Sequence, residues 1–262
     1  MKGMLVERIR EIFDYRQMLV SIVRKDLRSR YKGSFLGFLW TFVNPVLQLT
    51  IYSIVFPFLL RNNQENYPMF LFVALLPWIF FTTSLQGATT SVVANANLVK
   101  KIYFPRVILP LSVVCTNLVN YIYGLIIVFP ALLFTGVSLT FNVLWLPVIL
   151  FIEFVFALGL ALILSALYVR FRDLEHVMNI LTMIWFYLTP IVFAISIFPE
   201  SVAEIIGYNP MVPIINGFRD VLLYGNAPNW NELLYSMIVA IMTVVIGFVV
   251  FEKNEKTFAE DL

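Results

Sequence analysis

Long uncharged, aromatic-rich runs alternate along this chain with short stretches that hold almost all of its charge. A helix needs about 20 mostly apolar residues to cross about 30 Å of hydrocarbon. Six runs reach that length, at about 35–60, 68–93, 107–134, 143–169, 177–196 and 233–251. The first contains Pro45 and Pro57, and the second lies inside a 34-residue window, 66–99, without a charge. The pattern predicts an all-α integral membrane protein. A cytoplasmic segment, 1–34, precedes a six-helix transmembrane domain, 35–251, and a tail, 252–262, follows it.

Two segments do not read as simple spans. Residues 4–32 are too charged to cross, yet they repeat apolar positions at helical spacing: Leu5, Ile9, Ile12 and Phe13, then Met18, Ile22, Val23 and Leu27. Eight cations between Arg8 and Lys32 separate them. A soluble amphipathic helix has the same periodicity. Direct continuity with a spanning run favours an interfacial helix pair on the cytoplasmic leaflet. Residues 198–232 carry Pro199, Pro210, Pro213, Pro228 and four carboxylates, interrupted by apolar stretches at 211–218 and 221–224. Those stretches are too short to span, so short re-entrant helices are expected there in preference to a plain loop.

Composition and charge add orientation. The chain is 60% hydrophobic and 13% charged, against about 25% charged in a typical soluble domain. With 25 Phe, 12 Tyr and 5 Trp in 262 residues, a soluble fold would have nowhere to bury the apolar surface. Of 18 Lys and Arg, 16 fall in 1–34, 95–106, 169–176 and 252–262. The stretches between them, 61–67, 134–142 and 198–232, hold 1, 0 and 1. This is the positive-inside pattern, and it predicts an even number of crossings with both termini cytoplasmic. Cations that hug membrane boundaries, without forming an extended face, argue against nucleic-acid binding. The charged N-terminus shows no cleavable signal peptide.

Catalytic motifs are nearly absent. The one histidine, His176, sits among Arg170, Arg172, Asp173 and Glu175, and the single Cys115 lies in an apolar run. No His-Glu-x-x-His, Gly-x-Ser-x-Gly or Cys–His pairing occurs, and no glycine is followed by lysine, so a Walker A loop is excluded. Energy must come from another subunit or an ion gradient. Glu153 is the one carboxylate inside a predicted span, which makes it a functional candidate by default. Ion coupling normally needs more than one such group, so a structural or pathway-lining role is the better reading.

The stretch Asn95-Ala-Asn-Leu-Val-Lys-Lys-Ile-Tyr-Phe-Pro-Arg106 stands between the second and third spans. Asn95 or Asn97 suits a helix cap, and Pro105 ends the segment. Its three cations with Leu98, Val99, Ile102 and Phe104 form a small amphipathic knob. A partner's groove and an anionic membrane surface would suit it equally. Aromatics gather near span ends: Trp40, Phe42, Tyr52 and Phe56 in the first, and Trp185, Phe186, Tyr187 and Phe193 in the fifth. Most suit interfacial belts or the core. A minority suits a path for a substrate with apolar ring faces, such as a sugar.

The run Val23-Arg-Lys-Asp-Leu-Arg-Ser-Arg-Tyr-Lys-Gly-Ser-Phe-Leu-Gly-Phe-Leu-Trp-Thr-Phe-Val-Asn-Pro45 resembles the approach to the first span in ABC-2-type transporter permeases. It is most similar to the branch that exports lipid-linked polysaccharides, meaning O-antigen, capsule and teichoic acid. Asn97-Leu-Val-Lys-Lys-Ile-Tyr-Phe-Pro-Arg106 resembles the same family after its second span, and Phe258-Ala-Glu-Asp-Leu262 is weakly similar to its C-termini.

The resemblance implies a half-transporter. Two copies would pair around a path, each docked on a separate nucleotide-binding ATPase subunit that carries ATP and Mg; this chain would bind no cofactor or metal. Asn95, Asn97, Leu98, Val99, Lys100, Lys101, Ile102 and Tyr103 would form the coupling helix. Residues 4–32 would be the interfacial connecting helix and 198–224 the outer re-entrant pair. Aromatics of the first and fifth spans would line the conduit, with Glu153 as a further candidate. Arg24, Lys25, Arg28, Arg30 and Lys32 are candidates to receive a lipid pyrophosphate, against the plainer reading of a positive-inside anchor. A tail ending soon after the sixth span implies no appended glycan-binding domain. The expected function is export of a polyprenyl-linked polysaccharide or teichoic acid across the cytoplasmic membrane. The alternatives are an ABC-2 exporter of a drug or small lipid and, less favoured, an ion-coupled carrier or an intramembrane enzyme.

Overall fold

The computed structural model describes residues 10–31, 35, 37–60 and 66–262, and no strand occurs among them. The side chains of Arg30, Tyr31, Phe38, Thr41, Phe42, Ser196, Ala259 and residues 56–60 lie outside the description. The helices are α1 (Arg16–Tyr31), α2 (Trp40–Leu60), α3 (Tyr67–Ala94), α4 (Ala96–Lys101), α5 (Ile108–Phe134) and α6 (Leu146–Tyr168). They continue with α7 (Leu174–Tyr187), α8 (Glu200–Gly207), α9 (Met211–Arg219), α10 (Trp230–Glu255) and α11 (Phe258–Asp261). Four described stretches are long and apolar enough to cross a membrane: Tyr67–Ala94, Ile108–Phe134, Phe141–Tyr168 and Trp230–Glu255. Within α2, Val43–Val55 is a shorter apolar stretch.

α3 is the hub, packing against α2, α5, α6, α7 and α9. Of its most apolar window 78% is buried, against 22% in the more apolar α10, so the place of α3 at the centre of the bundle, and not apolarity alone, sets its burial. Asn66 turns the chain into α3 with φ 50°, and Pro68 follows in the first turn, where a missing N–H costs nothing. Two buried hydroxyls are satisfied by the preceding turn: Thr89 donates to Leu85 O at 2.7 Å and Thr116 to Ser112 O at 2.8 Å.

α6 and α10 make the most intimate helix pair. A Cβ on Gly159 would lie 2.5 Å from the Val244 backbone nitrogen, and one on Gly247 would lie 2.5 Å from the Gly159 carbonyl oxygen. Two backbones in contact through facing glycines is how helices pack where lipid supplies no hydrophobic drive.

The fifth apolar run, expected at 177–196, differs. Its helix, α7, has 14 residues, about 21 Å at 1.5 Å per residue, and so falls short of a span. Thr189 precedes Pro190, which disfavours the helical region before it and removes a backbone donor after it. The chain then runs irregularly to a short 3₁₀ turn at Ile195–Ile197. In 198–232, α9 covers the apolar stretch 211–218, and α8 lies ahead of both apolar stretches. A π-turn, Asp220–Tyr224, follows and ends on left-handed Gly225 at φ 68°. α9 is buried almost along its whole length against α3, α6 and α10.

The bundle has two distinct ends. At one, α4, the 169–173 turn and the C-terminal segment meet. At the other, Thr140 and Asn142 both donate to Gly225 O at 2.8 Å, and Trp145 stands edge-on to Trp230 at 4.6 Å. α1 packs against α5, with Met18, Leu19 and Ile22 turned toward apolar neighbours and Arg24, Lys25 and Arg28 exposed.

Candidate functional site

At the basic end, α4 is only six residues long and has no side-chain cap. Its pose comes from packing. Val99 and Phe104 are buried in a cluster with Val92, Val107, Leu162, Val169, Phe251 and Phe258. That burial turns Asn97, Lys100, Lys101, Ile102 and Tyr103 outward, with Tyr103 83% exposed. The result is a basic, aromatic-tipped knob. Beside it lies a cavity of about 600 Å³ lined by Lys100, Lys101, Arg106, Glu252, Glu255 and Lys256, among others. The Arg106 backbone N–H donates to Glu255 Oε1 at 3.2 Å, and its guanidinium donates to the Glu255 carbonyl. Arg170 bonds Asp261 Oδ2 at 3.2 Å and Thr257 Oγ1 at 3.0 Å. The Thr257 hydroxyl and the Arg170 guanidinium hold the Asp261 carboxyl below its ordinary range.

Between α2, α3 and α7 a groove of about 420 Å³ presents two chemistries. Gln48, Thr82, Gln86, Asn179 and Thr182 supply amides and hydroxyls, with Gln86 donating to Thr182 at 3.3 Å. Tyr52, Phe186 and Tyr187 supply ring faces: Tyr52 lies 6.1 Å from Phe186, which meets Tyr187 edge-on at 5.4 Å. Amide groups bind hydroxyls and rings bind C–H faces, so the pairing suits a carbohydrate. Apolar side chains beside the groove point out of the bundle, among them Ile51, Ile54 and Ile180.

Where α7 breaks off, its loose backbone is bound by side chains from elsewhere. Asn209 donates to Leu188 O at 3.3 Å and Thr189 Oγ1 at 2.9 Å, and accepts from Trp185 Nε1 at 2.9 Å. Arg219, 3% exposed, donates to Pro190 O at 2.6 Å, Ile191 O at 2.7 Å and Phe70 O at 3.3 Å. Its guanidinium also lies 3.5 Å over the Phe70 ring. Irregular backbone inside an apolar bundle is stable only with such partners.

Residues 17–223 match the family described as ABC-2 type transporter. The chain belongs to this family. It is 36% identical to the O-antigen export system permease protein RfbA of Myxococcus xanthus, over 98% of this chain and 100% of that protein. Its identity to a Klebsiella pneumoniae protein of the same name is 35%, over 94% and 95% of the two chains. The polysialic acid transport protein KpsM of Escherichia coli is 21% identical over 88% and 91%.

Within this ABC-2 fold the sequence candidates separate. Tyr52, Phe186 and Tyr187 share the groove. Trp40 lines a different cavity, of about 340 Å³, with Asn44, Asn117, Asn120 and Tyr121 between α2, α3 and α5. Trp185 packs edge-on to Phe81 and Phe156 and spends its N–H on Asn209, and Phe193 meets Phe198. Glu153 is fully buried away from the groove, and neither carboxylate oxygen has a hydrogen-bond partner among the described residues. Lys32 and the side chains of Phe42, Phe56 and Arg30 lie outside the described residues. No cluster of three or more His, Cys, Asp or Glu suited to a metal occurs among the described residues. Arg219, Asn209 and the C-terminal contacts escaped sequence reading. Only Arg219 left a signal, as the single cation in the otherwise acidic stretch 198–232.

Proposed function

We propose that the chain is the permease subunit of an ATP-driven exporter that carries a polyprenyl-linked polysaccharide or teichoic acid across the cytoplasmic membrane. The observation that carries this reading is a groove of amides, hydroxyls and aromatic faces in a chain related along nearly its whole length to O-antigen export permeases. In this reading 1–34 is interfacial, 35–251 crosses six times, the tail 252–262 is cytoplasmic, and α8 and α9 dip in from the outer side. α7 together with the irregular 188–197 forms the fifth crossing. The positive-inside pattern supports this, as does the meeting of the basic loops and the tail at one end of the bundle.

Two copies pair through the apolar faces of α2 and α7, so that the grooves face each other across a central path. Each copy docks on a separate ATPase subunit, which holds ATP and Mg. Closure of those subunits pushes on 95–103 and on α1, and the movement rearranges α2 and α7 at the seam. Direction then comes from different affinities in two states, without covalent chemistry in this chain. Arg24, Lys25 and Arg28 meet the lipid pyrophosphate as it arrives.

The test is reconstitution of the permease with its ATPase in vesicles carrying lipid-linked glycan. Replacing Lys100 and Lys101 with Glu leaves insertion and ATP hydrolysis in place while export falls by roughly tenfold or more. Unchanged export removes the docking role. Transport by the purified chain with no ATPase present overturns the whole reading.

A further inference from the structure

We infer that the C-terminal segment 252–262 is a clasp that sets the pose of the coupling segment, with Phe258, Arg170 and Asp261 as positioning residues. The inference rests on the reading of 95–103 as the docking surface for the ATPase. A helix of six residues with no cap has no independent stability. Its orientation must be imposed by what it packs against, and the last eleven residues of the chain supply part of that surface.

Three contacts make the clasp. Phe258, 1% exposed, shares one buried cluster with Val99 of the coupling segment and Phe104 just after it, and stands edge-on to Phe251 at 5.3 Å. Glu255 receives both the backbone N–H and the guanidinium of Arg106, three residues beyond that segment. Arg170, from the turn between α6 and α7, is bound to Asp261 and Thr257. One short tail therefore ties together two basic loops that are far apart in sequence. The charged pair is half exposed and contributes little to stability; its contribution is geometric. A coupling segment held only by its chain ends would yield when pushed. Pinned through Phe258 to α10 and to the turn before α7, it passes the push to the helix that borders the groove.

The test uses the permease–ATPase complex in vesicles and reads glycan exported per ATP hydrolysed, with complex assembly measured by co-purification. In Phe258→Ala the complex still assembles and the export-to-hydrolysis ratio falls roughly five- to tenfold, while Phe258→Leu recovers most of it. Arg170→Asp and Asp261→Arg each lower the ratio, and the two together restore it. That restoration is an effect which simple loss of folding would not produce. Should Phe258→Ala fail to insert, the charge-swap set decides alone. A normal ratio in Phe258→Ala, or no rescue in the double swap, while Lys100→Glu with Lys101→Glu lowers the ratio, sinks the clasp and leaves the docking surface standing. An unchanged ratio in that lysine variant sinks the docking surface, and the clasp with it.

Discussion

Carbonyls of Phe70, Pro190 and Ile191 converge on the guanidinium of Arg219, and only a planar fork of donors meets three acceptors at once. Arg219→Met leaves the Pro190 and Ile191 carbonyls buried and unpaired, at about 1–3 kcal/mol each, while Phe70 O keeps its bond within α3. The expected result is a drop of several degrees in the melting temperature of the detergent-solubilised protein. Arg219→Lys falls in between, because one ammonium cannot reach all three. A variant as stable as the parent would show that other groups satisfy the break in α7. Residue type alone did not reveal this role, because an arginine near an outer loop reads as solvated until α9 is seen to be buried. Glu153 is the reverse case. Its rarity in a span drew attention at once, yet where it sits in the packed bundle came only from the fold.

At the scale of elements, hydropathy located the long helices α3, α5, α6 and α10, because a run of 20 apolar residues has few other solutions. In the fifth run the regular helix stops at Tyr187, since apolarity continues through Thr189 and Pro190 although helical backbone does not. How helices pair was not legible at all. Gly159 and Gly247 look alike in sequence to the other glycines of the chain, and only the crossing of α6 and α10 makes them contact points. Gly159→Ala forces those backbones apart, an overpacking cost of about 1–3 kcal/mol. Its melting temperature should fall, while Gly207→Ala, with open space around its new methyl group, should melt like the parent. Equal melting of the two variants would refute the close crossing.

For the whole molecule, the groove between α2, α3 and α7 joins residues far apart in the chain, Tyr52 with Phe186 and Gln86 with Thr182, 96 positions away. Tyr187 is 56% exposed at its rim, so Tyr187→Ala should leave melting unchanged and lower glycan export roughly five- to tenfold. Normal export would make that ring a surface feature. Trp185→Ala should instead lower stability, since the Trp185 ring sits among Phe81 and Phe156 and its N–H is bound to Asn209.

Sequence by itself determined the class of molecule and, through its sided charges, the orientation it predicts. Apolar length and charge asymmetry act locally, against a bilayer of constant thickness, and need no knowledge of neighbours. The ABC-2 family was legible in two contiguous motifs for the same reason. Tertiary structure decided which aromatics share a groove, what holds the break in α7 and what Val99 and Phe104 pack against. Each of these depends on side chains brought together from distant parts of the chain, and no local pattern encodes such a meeting.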